Sequence, residues 1–121
     1  MSTLFENIKQ GLTRILKAFV YSYDGFKVLL NEPAFKQELC VFFVFTTLSF
    51  VFDVSSAERA LMIFALFFIL CAEAVNTAVE VCINRISTEI HPLSKKAKDI
   101  GSFVVLLSFV NAIVVWMVIL L

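Results

Sequence analysis

Three apolar blocks divide this 121-residue chain, and ahead of them apolar and polar residues alternate at helical spacing. In that leading segment Leu4, Phe5, Ile8, Leu12, Ile15, Leu16 and Phe19 recur on one side, while Lys9, Gln10, Thr13, Arg14 and Lys17 fall elsewhere. The pattern predicts an amphipathic helix over residues 1–30 that lies in a membrane interface. Lys9, Arg14 and Lys17 interrupt every candidate apolar core of a signal peptide. Gly25 allows a break. Asn31-Glu32-Pro33 predicts the start of a new helix, with Asn31 or Glu32 as cap and proline in the first turn.

The first apolar block, residues 39–52, is 14 positions long. A crossing takes about 20 residues, so the helix is expected to reach back over 34–38 and span 34–52. The second block, residues 60–83, predicts a span over 59–84, preceded by a capping turn at Asp53-Val54-Ser55-Ser56. The third, residues 103–121, carries no charge over 19 positions. Its helix is expected to begin within 95–102 and to span 98–121, after a polar loop over 87–94 that contains Pro92.

Composition strengthens this picture. With 60% hydrophobic residues and 14 phenylalanines, the chain has more apolar surface than a soluble domain of its length can hide. The expectation is a single membrane-embedded domain, all-α, with three transmembrane helices and one N-terminal surface helix. Cys40, Cys71 and Cys82 fall inside the spans at a spacing that matches no metal motif, and are expected to be buried apolar thiols. A formal net charge of zero excludes a nucleic-acid binder, which needs a basic surface.

The second span carries the chemistry. At 100° per residue, Glu73, Asn76, Thr77, Glu80 and Asn84 share one narrow stripe. A carboxylate near the bilayer centre costs roughly 2.5–3.5 kcal/mol, so two of them joined by an amide point to a functional face turned away from lipid. At about 1.5 Å per residue, Glu80 lies ~10 Å nearer the cytoplasm than Glu73. Glu73 therefore sits where a lipid hydroxyl can reach, and Glu80 near the headgroups. Glu32 and Glu38 flank the start of the first span, and Lys98 and Asp99 the start of the third. Carboxylates, a lysine and a cytoplasmic opening can together hold a magnesium nucleotide. With Gly11, Gly25 and Gly101 as the only glycines, neither G-x-x-x-x-G-K-[ST] nor G-x-G-x-x-G can be built. Metal and scattered basic side chains would have to replace a phosphate-cradling loop.

The run Glu73-x-x-Asn76-Thr77-Ala78-Val79-Glu80, followed by His91-Pro92-Leu93-Ser94 and Ala97-Lys98-Asp99, closely resembles the prokaryotic integral-membrane diacylglycerol kinases. Gly11-x-Thr13-Arg14, Tyr21-Ser22 and Asn31-Glu32-x-Ala34-Phe35-x-Gln37-Glu38 resemble them too, so the likeness runs from about Gly11 to Leu121. Asn84 stands where many members carry aspartate. The resemblance implies a homotrimer of three-span subunits in the bacterial cytoplasmic membrane. It implies transfer of the ATP γ-phosphate to the hydroxyl of diacylglycerol, giving phosphatidic acid, with Mg²⁺ as cofactor. Glu73 would be the catalytic base, and Glu32 and Glu80 the metal ligands. Arg14, Tyr21, Glu32, Asn76 and Glu80 would line the ATP site, with Glu89, Ile90, His91, Lys98 and Asp99. Arg14, Glu38, Glu73, Ser102 and Trp116 would meet the lipid substrate.

Two rivals stand beside this reading. Related members phosphorylate undecaprenol, and no residue here separates the two lipids. A proton- or ion-conducting subunit would also explain intramembrane carboxylates, but it needs an acid accessible from both sides, and this stripe opens only toward the cytoplasm.

Orientation follows from the basic residues. Lys9, Arg14, Lys17, Lys27 and Lys36 precede the first span, Arg85, Lys95, Lys96 and Lys98 lie between the second and third, and the turn over 53–59 holds only Arg59. The positive-inside rule therefore predicts a cytoplasmic N-terminus and an external C-terminus. A reporter fused after Leu121 that is active only in the cytoplasm is expected to stay silent; a strong signal overturns this arrangement.

Overall fold

The structure, a computed structural model, describes residues 1–121 and contains four helices and no strand. They are α1 (Ser2–Leu29), α2 (Pro33–Ser49), α3 (Ser56–Ile86) and α4 (Pro92–Leu120). Two compact units emerge, Met1–Glu32 and Pro33–Leu121.

The first unit is α1. None of its residues is buried, and the expected stripe from Leu4 through Ile8, Leu12 and Ile15 to Phe19 is open along its length. Thr13 donates to the Lys9 carbonyl (2.9 Å), and Lys27 pairs with Asp24 (3.3 Å) on the helix surface. The helix passes through Gly25 without a break, because that glycine keeps a negative φ and the ladder continues across it. Asn31 turns its side-chain amide back onto the Lys27 carbonyl (3.3 Å), helping to end α1 rather than starting α2.

In the second unit α3 is the central element, packed against α2 on one side and α4 on another. Its buried positions, among them Met62, Ala65, Leu66, Ile69, Ala72 and Glu73, recur every three to four residues and form one continuous stripe. From α2 come Phe35, Glu38, Phe42 and Ser49, spaced like a coiled-coil seam. From α4 come only Gly101, Ser108 and Ala112, whose small side chains let the two backbones approach closely. Phe42, Ala65, Leu66, Ile69 and Ala112 make the core. Phe67 meets Phe42 edge-on with ring centres 4.5 Å apart, and Trp116 closes the far end, edge-on to Phe45 at 5.4 Å. The buried hydroxyls of Ser49 and Ser108 donate within their own helices, to Thr46 (2.7 Å) and Val105 (2.6 Å).

The outward surface is apolar, with Phe64, Phe103, Leu106, Val110, Ile113 and Val118 all exposed. Two helices, α3 with 31 residues and α4 with 29, are long and apolar enough to cross a membrane. The 17-residue α2 rises about 26 Å and stops three residues before the expected 52. The three cysteines are exposed, contrary to expectation. Cys40 shows why: it sits two residues from both Glu38 and Phe42, and so on the opposite side of the helix from that packed face.

Each helix start has a local cause. At α3, Glu58 N–H donates to Ser55 Oγ (3.1 Å) and Ser55 N–H to Glu58 Oε2 (2.8 Å), a complete capping box. At α4 the helix begins at Pro92, ahead of the expected 95–102. Proline occupies the first turn, and His91 Nδ1 accepts the Leu93 N–H (3.1 Å). The α2–α3 turn is tied by Arg59, whose guanidinium donates to the carbonyls of Ser49 (3.2 Å) and Phe52 (2.9 Å) and lies 4.9 Å from the Phe50 ring. The Ser49 carbonyl ends α2 and would otherwise lack a donor, while that of Phe52, in the turn, also accepts the Val54 N–H (3.1 Å). Arg59→Ala is expected to lower unfolding stability by about 1–3 kcal/mol, and Arg59→Lys to recover only part because an ammonium cannot span both carbonyls. Denaturation in detergent checks this; equal stability of Arg59→Ala and the parent would show the tie to be idle.

Candidate active site

The polar stripe of α3 is the spine of the site, and each turn of it meets something different. Glu73 meets Glu38 of α2. Both are almost enclosed, at 7% and 8% exposure, and their carboxyls hydrogen-bond to each other. Glu38 Oε2 is enclosed without any partner.

One turn along α3, the Asn76 side chain lies against Gly101 of α4 with its Oδ1 enclosed and unbonded. Thr77 is buried beside it, and Glu80, a turn further, is exposed. At the next turn, Asn84 Oδ1 accepts a hydrogen bond from Lys98 Nζ (3.1 Å), joining the end of α3 to the start of α4. That bond stands at a cavity of about 240 Å³ whose walls include Glu89, Ile90, His91, Lys98 and Asp99. Lys95 pairs with Asp99 at 2.6 Å on its exposed rim.

The structure thus gathers Glu38, Glu73 and Asn76 at one level, and five residues expected at the nucleotide, Glu89 to His91 with Lys98 and Asp99, at another. Ser102 is exposed and follows Gly101 directly. Trp116 lies apart from them: its Nε1 donates to the Met62 carbonyl (3.3 Å), eleven residues and about 16 Å up α3 from Glu73. Arg14, Tyr21 and Glu32 belong to the first unit. There Arg14 borders a shallow depression of about 280 Å³ with Lys9, Thr13 and Lys17, and Tyr21 is exposed two turns along the same face. No three His, Cys, Asp or Glu side chains converge into a ready-made metal cage. The exposed carboxylate of Glu80 nevertheless suits magnesium, which is usually held by one or two carboxylates plus phosphate oxygens.

Two residues went unassigned on the sequence. Asn84 was visible on the stripe, but its bond to Lys98 joins positions fourteen apart, on two helices. Gly101 gave no signal, since nothing in one sequence shows which side chain would collide with it.

A membrane-type helix bundle with paired carboxyls inside and a lysine-bearing polar cavity at one end has the parts that a membrane-embedded enzyme needs. Residues 20–120 match the profile of the prokaryotic diacylglycerol kinase family. The diacylglycerol kinase of Escherichia coli is 36% identical over 115 residues, covering 94% of both chains. That of Pseudomonas aeruginosa is 43% identical over 112 residues, covering 92% of this chain and 91% of its own. That of Haemophilus influenzae is 36% identical over 107 residues, covering 88% and 91%. This chain belongs to the prokaryotic diacylglycerol kinase family.

Asn84→Ala removes the acceptor that holds Lys98. Because that bond is exposed, Mg–ATP affinity is expected to weaken by only about two- to fivefold. Equilibrium binding of labelled nucleotide checks this; unchanged affinity would show that Lys98 needs no such hold.

Proposed function

We propose that this chain is an ATP-dependent diacylglycerol kinase of the bacterial cytoplasmic membrane, working as a homotrimer with α2, α3 and α4 all crossing the bilayer. The observation that carries the reading is the Glu38–Glu73 carboxyl pair, enclosed in an apolar bundle and continued along one helix face to the Lys98 cavity. Names shared by relatives over nearly the whole chain support the substrate.

In the mechanism, Glu73 accepts the proton of the lipid hydroxyl as its oxygen bonds to the γ-phosphorus and the bond from that phosphorus to the β-bridging oxygen breaks. Glu38 orients Glu73 through their mutual hydrogen bond. Lys98 places positive charge where the transferred phosphoryl group gathers negative charge, and Asn84 holds its ammonium there. Asp99 and the 89–91 segment line the nucleotide's cavity. By the family resemblance, Arg14 and Tyr21 are also assigned to the nucleotide. Glu80 and Glu32 would be the residues to hold Mg²⁺, which would supply positive charge to the phosphate oxygens. Ser102 contacts the lipid near its reacting end, while Trp116, far up the bundle, suits an acyl chain.

The test is phosphorylation of dioleoylglycerol and of undecaprenol by the purified protein in mixed micelles. Dioleoylglycerol is the expected acceptor; transfer to undecaprenol alone would reassign the substrate. In the same assay Glu73→Gln keeps shape but removes the base, so turnover should fall about 10²–10⁴-fold with little change in Mg–ATP affinity. Glu80→Gln should instead raise the magnesium and ATP requirements, because it holds bound substrate in the ground state. If Glu73→Gln kept most of its turnover, the base would have to lie elsewhere.

A further inference from the structure

Gly101 lies in the middle of a long helix with ordinary helical backbone, so it is not glycine for the sake of a turn. Alanine would be the better helix former at such a position. Alanine has no free space there: a Cβ would collide with Asn76 Oδ1 and stand 3.3 Å from Asn76 Cγ, so the Asn76 amide would have to move. The other two glycines show the contrast, since a Cβ on Gly11 or Gly25 would meet nothing within 4 Å. Asn76 Oδ1 is also one of only three enclosed side-chain oxygens without a hydrogen-bond partner. A hydrogen on the glycine Cα stands where the Cβ would be, and so faces that oxygen as a weak donor.

We propose that Gly101 is a positioning residue for the phosphoryl-transfer site. Its missing side chain forms a slot on α4 that receives the Asn76 amide oxygen and fixes that amide in one rotamer between Glu73 and Glu80. The slot holds the oxygen end of the amide, so the orientation of the Nδ2 end is fixed with it. Asn76 follows Glu73 by three residues and precedes Glu80 by four, so all three share the stripe, while Lys98 and Asp99 precede Gly101 by less than one turn. One close contact between α3 and α4 therefore sets the relation between the carboxylates on one helix and the lysine on the other. This inference rests on the kinase reading of the same site.

The test is a cycle of Gly101→Ala, Asn76→Ala and the double variant in the purified full-length protein, read by Mg–ATP binding, by KM for each substrate and by thermal unfolding. Gly101→Ala alone is expected to raise the Mg–ATP KM about tenfold while leaving the lipid KM within about twofold, as for the loss of one oriented hydrogen bond to a charged ligand. It should also lower the melting temperature. In the Asn76→Ala background the slot is empty, so the same Gly101→Ala change should leave Mg–ATP binding unaltered and raise the melting temperature. That reversal of sign is the signature of a residue acting through Asn76. The double variant, which has room for the new methyl group, covers the case in which Gly101→Ala alone fails to fold. Equal losses from Gly101→Ala in both backgrounds, or an unchanged Mg–ATP KM in a folded Gly101→Ala protein, would reduce Gly101 to a packing residue and overturn the proposal. Failure of the parent protein to bind Mg–ATP at all would overturn the kinase reading and this proposal with it.

Discussion

Carboxyl groups are costly inside an apolar bundle, and the arrangement of this one is organised around making that cost bearable. α3 carries the polar stripe, so α3 is the helix that must be covered on two sides. On one side α2 supplies Glu38, which gives the buried Glu73 a hydrogen-bonding partner. On the other, α4 supplies small residues that bring its backbone close enough to enclose the Asn76 amide. Exchange of the α2 flank for generic apolar surface would leave the Glu73 carboxyl stranded, and a bulkier α4 face would displace the Asn76 amide.

The rest of the second unit keeps those flanks in register. At one end of α3 the capping box and the Arg59 tie fix where α2 stops and α3 starts. At the other end the His91 cap and Pro92 start α4 early, so that Lys98 and Asp99 already lie on a formed helix when they reach the cavity. A lysine in a loop would have to be ordered each time a phosphate arrived, whereas one on a helix and bonded to Asn84 is pre-arranged.

Much of this was legible in the sequence, for definable reasons. Long apolar blocks read directly as α3 and α4, and the 3.6-residue period of the first segment as α1. The stripe from Glu73 to Asn84 needed only helical geometry. Boundaries were harder, because they depend on single side chains choosing among several nearby backbone groups. His91 moved the start of α4 earlier, and Asn31 turned backward instead of forward. The cysteines were misplaced because an apolar residue in a span can face lipid as readily as core. Glu38 could be placed near the substrate only through family resemblance, since no pattern in α2 reveals that it meets Glu73. Contacts such as Gly101 with Asn76 depend on the crossing of two helices, which no local pattern encodes.

The bare apolar stripe of α1 carries a consequence for how such an enzyme would respond to its surroundings. A helix that buries none of its own residues gains no stability from a core, so its order must come from whatever surface covers Leu4 to Phe19. Arg14 and Tyr21 ride on that segment. The order of that segment would then vary with the lateral packing and charge of the lipid around it, making the composition of the bilayer itself an input to how firmly those two side chains are held.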